Sequence, residues 1–354
     1  MRPETTTAGG GWPERAHRLL APGAAALLLL AAALGAVAGP LRLDVQLAVL
    51  AFVIVLFGPP RLAREQELGR ALLEDYVGAS WRPALLGLLL GGVALVLIAW
   101  WIWPTATLLV VLVVLGLQVG RDAAAAYGRP GDLPIAAAFG GMPLVLPAGF
   151  GSVEIGTVLA WVTLEPDPAI WIDTLDALGP PIAIVWFTVA GLAAGRFLRR
   201  PGALAPIGEL VAGTLLFALA PTLIALACYL ALTHGARGLL SLAAELDPRS
   251  WQAALVTTIQ RSAPLVGAAA ALAAFGLVVA LFSGVEPQPA LAIVPVWGFG
   301  AVALPHVALE ALDPARRRAG DDFFGPQSPL ERLEDGLRRT RRRVARDRPR
   351  RGRP

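Results

Sequence analysis

The chain has 354 residues, of which 56% are hydrophobic and only 16% are charged, and its formal net charge is +4. Soluble domains carry roughly 25% charged residues, so this composition excludes an aqueous globule and predicts an integral membrane protein. The single cysteine, Cys228, excludes intrachain disulfides and any cluster of thiolate ligands.

The apolar runs predict an all-α fold, a polytopic transmembrane bundle of roughly eight to ten spans, because each crossing needs about 20 apolar residues. A short cytoplasmic segment is predicted at 1–20 and a transmembrane helical domain at 21–311. The first run is expected to stay as a span, although its flanks are typical of a signal peptide. The predicted spans lie near 21–39, 43–58, 83–103, 105–119, 132–163, 180–196, 207–220, 221–241, 262–283 and 289–311.

The run at 132–163 contains three prolines and the glycines of "GFG". It is predicted to be either one broken crossing or two half-helices. A broken helix at membrane depth has to be buried in protein or line a cavity, because lipid offers its freed carbonyls no partner. The acidic segment that follows, "LEPDPAIWIDTLDALG", is predicted to be an outer loop.

Arginine placement in the short loops predicts the orientation. Three basic loops, "PPRLAREQELGR", "GRDAAAAYGR" and "RFLRRPG", are expected inside, which places both termini in the cytoplasm. The expected location of the chain is the inner (plasma) membrane. The Arg-rich segment at 312–354 is predicted to be a disordered tail attracted to lipid headgroups rather than to nucleic acid.

Ionisable side chains inside a membrane are costly and mark functional sites by default. For His234, the positions one turn away on its own helix are Leu230 and Gly238, and neither residue can act as a ligand. The ionisable candidates within the predicted spans are Glu154, Glu209, His234, His306 and Glu310.

His306 and Glu310 lie one helical turn apart. The pair is predicted either to hold a metal ion or to be a hydrogen-bonded pair at a helix end, and the second interpretation is favoured. Glu154 is predicted to lie in the first turn of a helix capped by Ser152, where its charge offsets the helix dipole.

Four separated stretches of the chain are similar to the motifs of one family of membrane proteins. In the first, "FGPPRLARE" resembles G-x-P-H-G-A-x-D, with Gly58, Pro60, Ala63 and the acid Glu65 in place. The position of the motif histidine is occupied by Arg61.

The second stretch, "AAAAYG", resembles S-x-x-H-F-G and keeps an aromatic residue and the glycine as Tyr127 and Gly128. Ala126 stands where the motif has histidine. The last stretch, "VALPHVALE", resembles L-T-x-P-H-M, with Pro305 and His306 in place.

The third stretch, "YLALTHGARGLL", resembles Y-F-x-x-W-H-S-x-R-H. Tyr229, His234 and Arg237 coincide with the motif, and Gly238 replaces its second histidine. Together these stretches resemble the Brp/Blh family, whose characterised members cleave β-carotene with molecular oxygen at its central double bond to give retinal.

The resemblance implies a non-haem Fe(II) cofactor held by histidines, and imidazole ligands suit iron. Three of the four positions that should supply imidazole hold Arg61, Ala126 and Gly238, which cannot replace it as neutral ligands. If the chain is active, His234 is the predicted metal ligand, with His306 and Glu310 as further ligands.

Three functions follow as alternatives. The chain is an oxygen-dependent enzyme with an iron site rebuilt on His234, His306, Glu310 or Glu154, or a non-catalytic member that binds a carotenoid, retinoid or other isoprenoid lipid. The third alternative is an unrelated scaffold or transporter. The expected partners are the membrane and an apolar polyene or isoprenoid lipid, with no nucleic acid.

Overall fold

The computed structural model describes residues 12–58, 65–129, 131–198, 203–246 and 250–312, and these residues contain helices and no strand, which confirms the all-α prediction. The predicted Arg-rich tail and most of the predicted N-terminal segment lie outside the described residues. The helices are α1 (Trp12–Ala38), α2 (Leu43–Phe57), α3 (Glu65–Val77), α4 (Trp81–Ile102), α5 (Pro104–Ala126), α6 (Leu133–Phe150), α7 (Ser152–Val162), α8 (Pro168–Leu198), α9 (Leu204–Leu219), α10 (Thr222–Tyr229), α11 (Ala236–Leu246), α12 (Trp251–Phe282) and α13 (Pro287–Ala311), with a 3-10 turn at Gly78–Ser80 and a π-helical segment at Leu230–Gly235.

Among the described residues, seven helices are long and apolar enough to cross a membrane, counting α10, the π segment and the start of α11 as one. Four shorter apolar helices accompany them: α2, α7, α9 and the part of α1 from Pro22. Each predicted span therefore has a helix, and α6 and α7 together cover 132–163. The bundle is a polytopic membrane protein.

The acidic segment after α7 differs from its prediction as a loop, because α8 already begins at Pro168. Proline suits the first position of a helix, where its missing N–H needs no partner. The carboxylate of Asp167 accepts a hydrogen bond from the backbone N–H of Ala169 at 2.9 Å. This bond satisfies one of the unpaired N–H groups of the first turn, so the acids do not prevent the helix.

Helices α5 and α6 approach closely because glycines face each other. A Cβ atom added at Gly140 would lie 2.0 Å from the carbonyl oxygen of Gly116, and one added at Gly120 would lie 2.0 Å from that of Ala136. Small residues at such positions let membrane helices pack backbone to backbone. The two helices run antiparallel, since residue numbers rise in opposite directions along the contact.

The broken crossing α6–α7 lies along the long helix α8. Gly141 packs against Trp186, and Gly156 packs against Ile172 near the start of α8, so α6 and α7 follow one another antiparallel to α8. The interior of the described bundle contains one cluster of buried side chains around Phe139 in α6 and a second around Trp100 in α4.

Two irregular points of the backbone are satisfied by side chains of other helices. Pro143 has no N–H to donate to the carbonyl of Phe139 four residues earlier, and the Tyr229 hydroxyl donates to that carbonyl at 3.1 Å. At the start of α10, the N–H of Leu223 donates to the side-chain oxygen of the buried Gln46 in α2 at 3.2 Å. Both contacts join distant parts of the chain.

The end of α7 is held in the same way. The carbonyl oxygen of Val162 accepts hydrogen bonds from the indole N–H groups of Trp100 at 3.1 Å and Trp297 at 2.9 Å. The two indole rings stack with their centroids 5.6 Å apart. Helices α4, α7 and α13 therefore meet at one carbonyl.

We expect Gly140→Ala to lower the free energy of unfolding by about 1–3 kcal/mol, because the added methyl group forces α5 and α6 apart. Gly195→Ala in α8 is the matched control, since a Cβ atom there meets no atom within 4 Å. Thermal unfolding of both variants in detergent checks this expectation. Equal melting temperatures for the two variants would contradict the close α5–α6 contact.

Candidate functional site

Five polar side chains lie in two contacting sets near one end of the bundle, where α5 ends, α9 begins and the π segment passes into α11. We call this group the polar cluster, and its members are Asp122, Tyr127, Glu209, His234 and Arg237. The Gly116–Gly140 contact and the short turn between α9 and α10 lie farther along these helices, so the group sits at the helix ends rather than in mid-bundle.

An ion pair lies at the centre of the polar cluster. The Arg237 guanidinium, 6% exposed, donates through Nη2 to Oε2 of Glu209, whose side chain is fully buried. The same Nη2 donates to the Tyr127 hydroxyl at 2.9 Å, and that hydroxyl donates to Glu209 Oε2 at 2.5 Å. The two opposite charges therefore neutralise each other inside the protein, and Tyr127 ties both to the end of α5.

Aromatic rings surround the buried guanidinium. Its central carbon lies 5.1 Å from the ring centroid of Tyr127 and 5.8 Å from that of Phe139. A cation at this distance is attracted by the negative face of a ring, and the attraction grows when water is excluded. The two rings therefore add to the polar partners of Arg237.

His234 lies in the π segment and faces another helix. Its Nδ1 is 3.7 Å from Oδ2 of Asp122 in α5, and the two side chains are 15% and 30% exposed. Single π turns inside helices are frequent at functional sites. The Thr233 hydroxyl donates to the Tyr229 carbonyl at 2.6 Å within this segment. Sequence spacing indicated only Leu230 and Gly238, which lie on the same stretch of chain as His234, and did not predict Asp122 on α5.

The second predicted pair is present near the end of α13. Nε2 of His306 lies 3.6 Å from Oε1 of Glu310, and both side chains are largely buried. Glu154 lies in the first turn of α7, as expected, but Ser152 does not cap that helix. The capping position is Gly151, and Ser152 is already the first residue of the helix. A Cβ atom added at Gly151 would lie 2.0 Å from the hydroxyl of Thr222.

The described residues of the first three motif-like stretches contact one another in this part of the bundle. Phe57, at the end of α2, packs against Gly235 beside His234, and the following Gly58 packs against Phe299 of α13. The second and third stretches touch through the hydrogen bond between Tyr127 and Arg237. Arg61, which occupies a motif histidine position, lies outside the described residues.

The sequence matches the family described as Beta-carotene 15,15'-dioxygenase over residues 52–312. The chain belongs to this family. The prediction of a Brp/Blh-like member is confirmed, and the matched region contains the whole polar cluster and the His306–Glu310 pair. No curated protein and no protein of solved structure matches the chain.

The donor groups that the structure describes do not fit the iron that the resemblance implies. No group of three or more His, Cys, Asp or Glu side chains converges to hold a metal ion within the described residues. The three predicted ligands are divided between two pairs, His234 with Asp122 and His306 with Glu310. Metal binding by His234, His306 and Glu310 therefore stays a prediction.

We expect Arg237→Met to lower the free energy of unfolding by about 3–5 kcal/mol, because it leaves the Glu209 carboxylate buried without its counter-charge. The double variant Arg237→Met, Glu209→Leu should be less destabilised than the single variant, since no buried charge remains. Denaturant unfolding in detergent measures both.

Arg70→Met is the control for the loss of an arginine, because Arg70 pairs with Glu74 on an exposed surface. Its melting temperature should stay close to that of the unaltered protein. A single Arg237 variant as stable as this control would contradict the central position of the ion pair.

Proposed function

We propose that the chain is a membrane protein that binds an apolar polyene or isoprenoid lipid and does not cleave it by iron chemistry. The observation that carries the proposal is the composition of the polar cluster. Ala126 and Gly238, at two positions where the resemblance implies imidazole, stand beside Tyr127 and Arg237, whose polar atoms are bonded to Glu209 and to each other.

The ion pair opposes the use of Glu209 as a metal ligand. Its Oε2 already accepts hydrogen bonds from Arg237 and Tyr127. Coordination of a cation through Oε2 would replace these hydrogen bonds and leave a guanidinium buried without its counter-charge, which costs several kcal/mol in a protein interior. The other oxygen, Oε1, is buried and has no hydrogen-bond partner among the described residues, so this cost applies to coordination through Oε2 alone.

Family membership supports the class of ligand. The description of the family names β-carotene. This compound is a hydrocarbon and dissolves in the apolar core of the bilayer. Sites for such ligands lie between helices and are predominantly apolar. The described helices offer long apolar surfaces to the lipid, and no nucleic acid is part of this proposal.

We also propose that both termini face the cytoplasm of the plasma membrane. Arg121 near the end of α5, Arg129 after it and Arg196 in the last turn of α8 lie on the side of the bundle that holds the polar cluster. Arg196 pairs with Asp132 at the start of α6 at 2.8 Å. Arginines concentrate on the cytoplasmic side of membrane proteins, which supports this orientation.

Expression in a β-carotene-producing bacterium tests the function. We expect the cells to keep their carotenoid colour and to form no retinal. The reason is that the chain has no complete set of imidazole ligands to hold the iron that would activate oxygen. β-Carotene should co-purify with the protein in detergent. Extraction and chromatography measure both compounds, and cells that express an active family member provide the positive control.

Retinal formed by the unaltered chain and lost on His234→Ala would overturn the proposal and indicate a working rebuilt site. Retinal lost only on His306→Ala or Glu310→Gln would place that site at the end of α13.

A further inference from the structure

A narrow groove lies between α2, α12 and α13. Its volume is about 200 Å³, and all eleven residues that line it are apolar, five of them alanines. The groove is formed because three small residues of α12, Ala270, Ala273 and Ala274, face Ala51 of α2 and Ala290 of α13. Larger side chains at these positions would fill the space.

Helix α12 is suited to form one wall of a lipid-facing site. Its most apolar 18-residue stretch has no buried residue within the described bundle. Near Gly276, α12 approaches Val294 of α13, and a Cβ atom added there would lie 3.1 Å from the valine side chain. The helix therefore touches α13 at one end of the groove and leaves the alanine face open beside it.

The groove leads toward the polar cluster. Val55 of its α2 wall lies two residues before Phe57, whose ring packs against Gly235 next to His234. A rod-shaped ligand in the groove would therefore have one end directed to the part of the bundle where the first three motif-like stretches contact one another.

The chemistry of the walls selects among the lipids of a membrane. No lining side chain carries a hydrogen-bond donor or acceptor, so a hydroxyl group inside the groove would lose its partners at a cost of a few kcal/mol. Flexible acyl chains lose rotational freedom in a narrow groove, whereas a conjugated polyene is already rigid. Phe52, 65% exposed, adds an aromatic surface at the edge of the groove.

We propose that this groove is the binding site for a segment of a hydrocarbon polyene. The inference rests on the proposed function and gives its ligand a location. A volume of about 200 Å³ is below the usual range of 300–1,000 Å³ for ligand pockets, so part of a long polyene extends beyond the groove along the lipid-facing helices.

Filling the groove tests this site. Ala274→Phe and Ala270→Phe place a ring in the groove at positions that are exposed, so the fold is expected to tolerate them. Ala268→Phe is the matched control, because at 100° per residue it lies on the opposite, also exposed, face of α12. The unaltered chain and the three variants are purified from carotene-producing bacteria, and gel filtration and thermal unfolding check that they are folded.

The measurement is the β-carotene and the phospholipid retained per protein. We expect the unaltered chain and Ala268→Phe to retain equal β-carotene and the two groove variants to retain about tenfold less, a loss of roughly 1.4 kcal/mol. Equal retention of β-carotene by all four folded proteins would contradict the assignment of the groove as the binding site. It would not contradict the proposed function.

Loss of phospholipid without loss of β-carotene in the groove variants would make the groove an acyl-chain site and overturn the inference. No β-carotene on the unaltered chain or on Ala268→Phe would instead contradict the proposed function itself.

Discussion

Lipid offers no hydrogen-bond partner to a peptide group, and this constraint decides how the helices of the bundle are joined. The carbonyl freed by Pro143 is bound by Tyr229, and the first turn of α10 is bound by Gln46. Two tryptophans from α4 and α13 bind the last carbonyl of α7. At these three points an interruption of a helix is therefore also a contact between helices.

The same constraint acts more strongly on charges. Arg237 is held by one carboxylate, one hydroxyl and two aromatic rings, which are supplied by Glu209 of α9, Tyr127 at the end of α5 and Phe139 of α6. This network lies where the first three motif-like stretches contact one another. Two positions at which the resemblance implies imidazole hold the small residues Ala126 and Gly238 there. These two residues are why we propose that the chain binds a polyene without cleaving it.

The sequence predicted correctly those features that depend on residues of a single helical run. A long apolar run in lipid has to be a helix, because only a helix satisfies its backbone groups within one segment. The prolines and glycines before Ser152 indicated the broken crossing. The spacing of His306 and Glu310 predicted their contact. The start of α8 was missed because its acids indicated a loop, although a helix continues beyond the bilayer where its acids are hydrated. Spacing reports neighbours on one helix only, so the contacts of Glu209 with Arg237 and of Asp122 with His234 could not be read from it.

In our interpretation, this chain lacks the metal ligands that the resemblance implies. The most direct test is the iron content of a variant in which the three histidines are restored by Arg61→His, Ala126→His and Gly238→His. We expect the unaltered protein to contain only a small fraction of one iron per chain and the triple variant to approach about one, whereas each single restoration leaves the shell incomplete. About one iron per chain in the unaltered protein would contradict this interpretation. A folded triple variant without iron would show that the ligand positions do not converge as they do in the family.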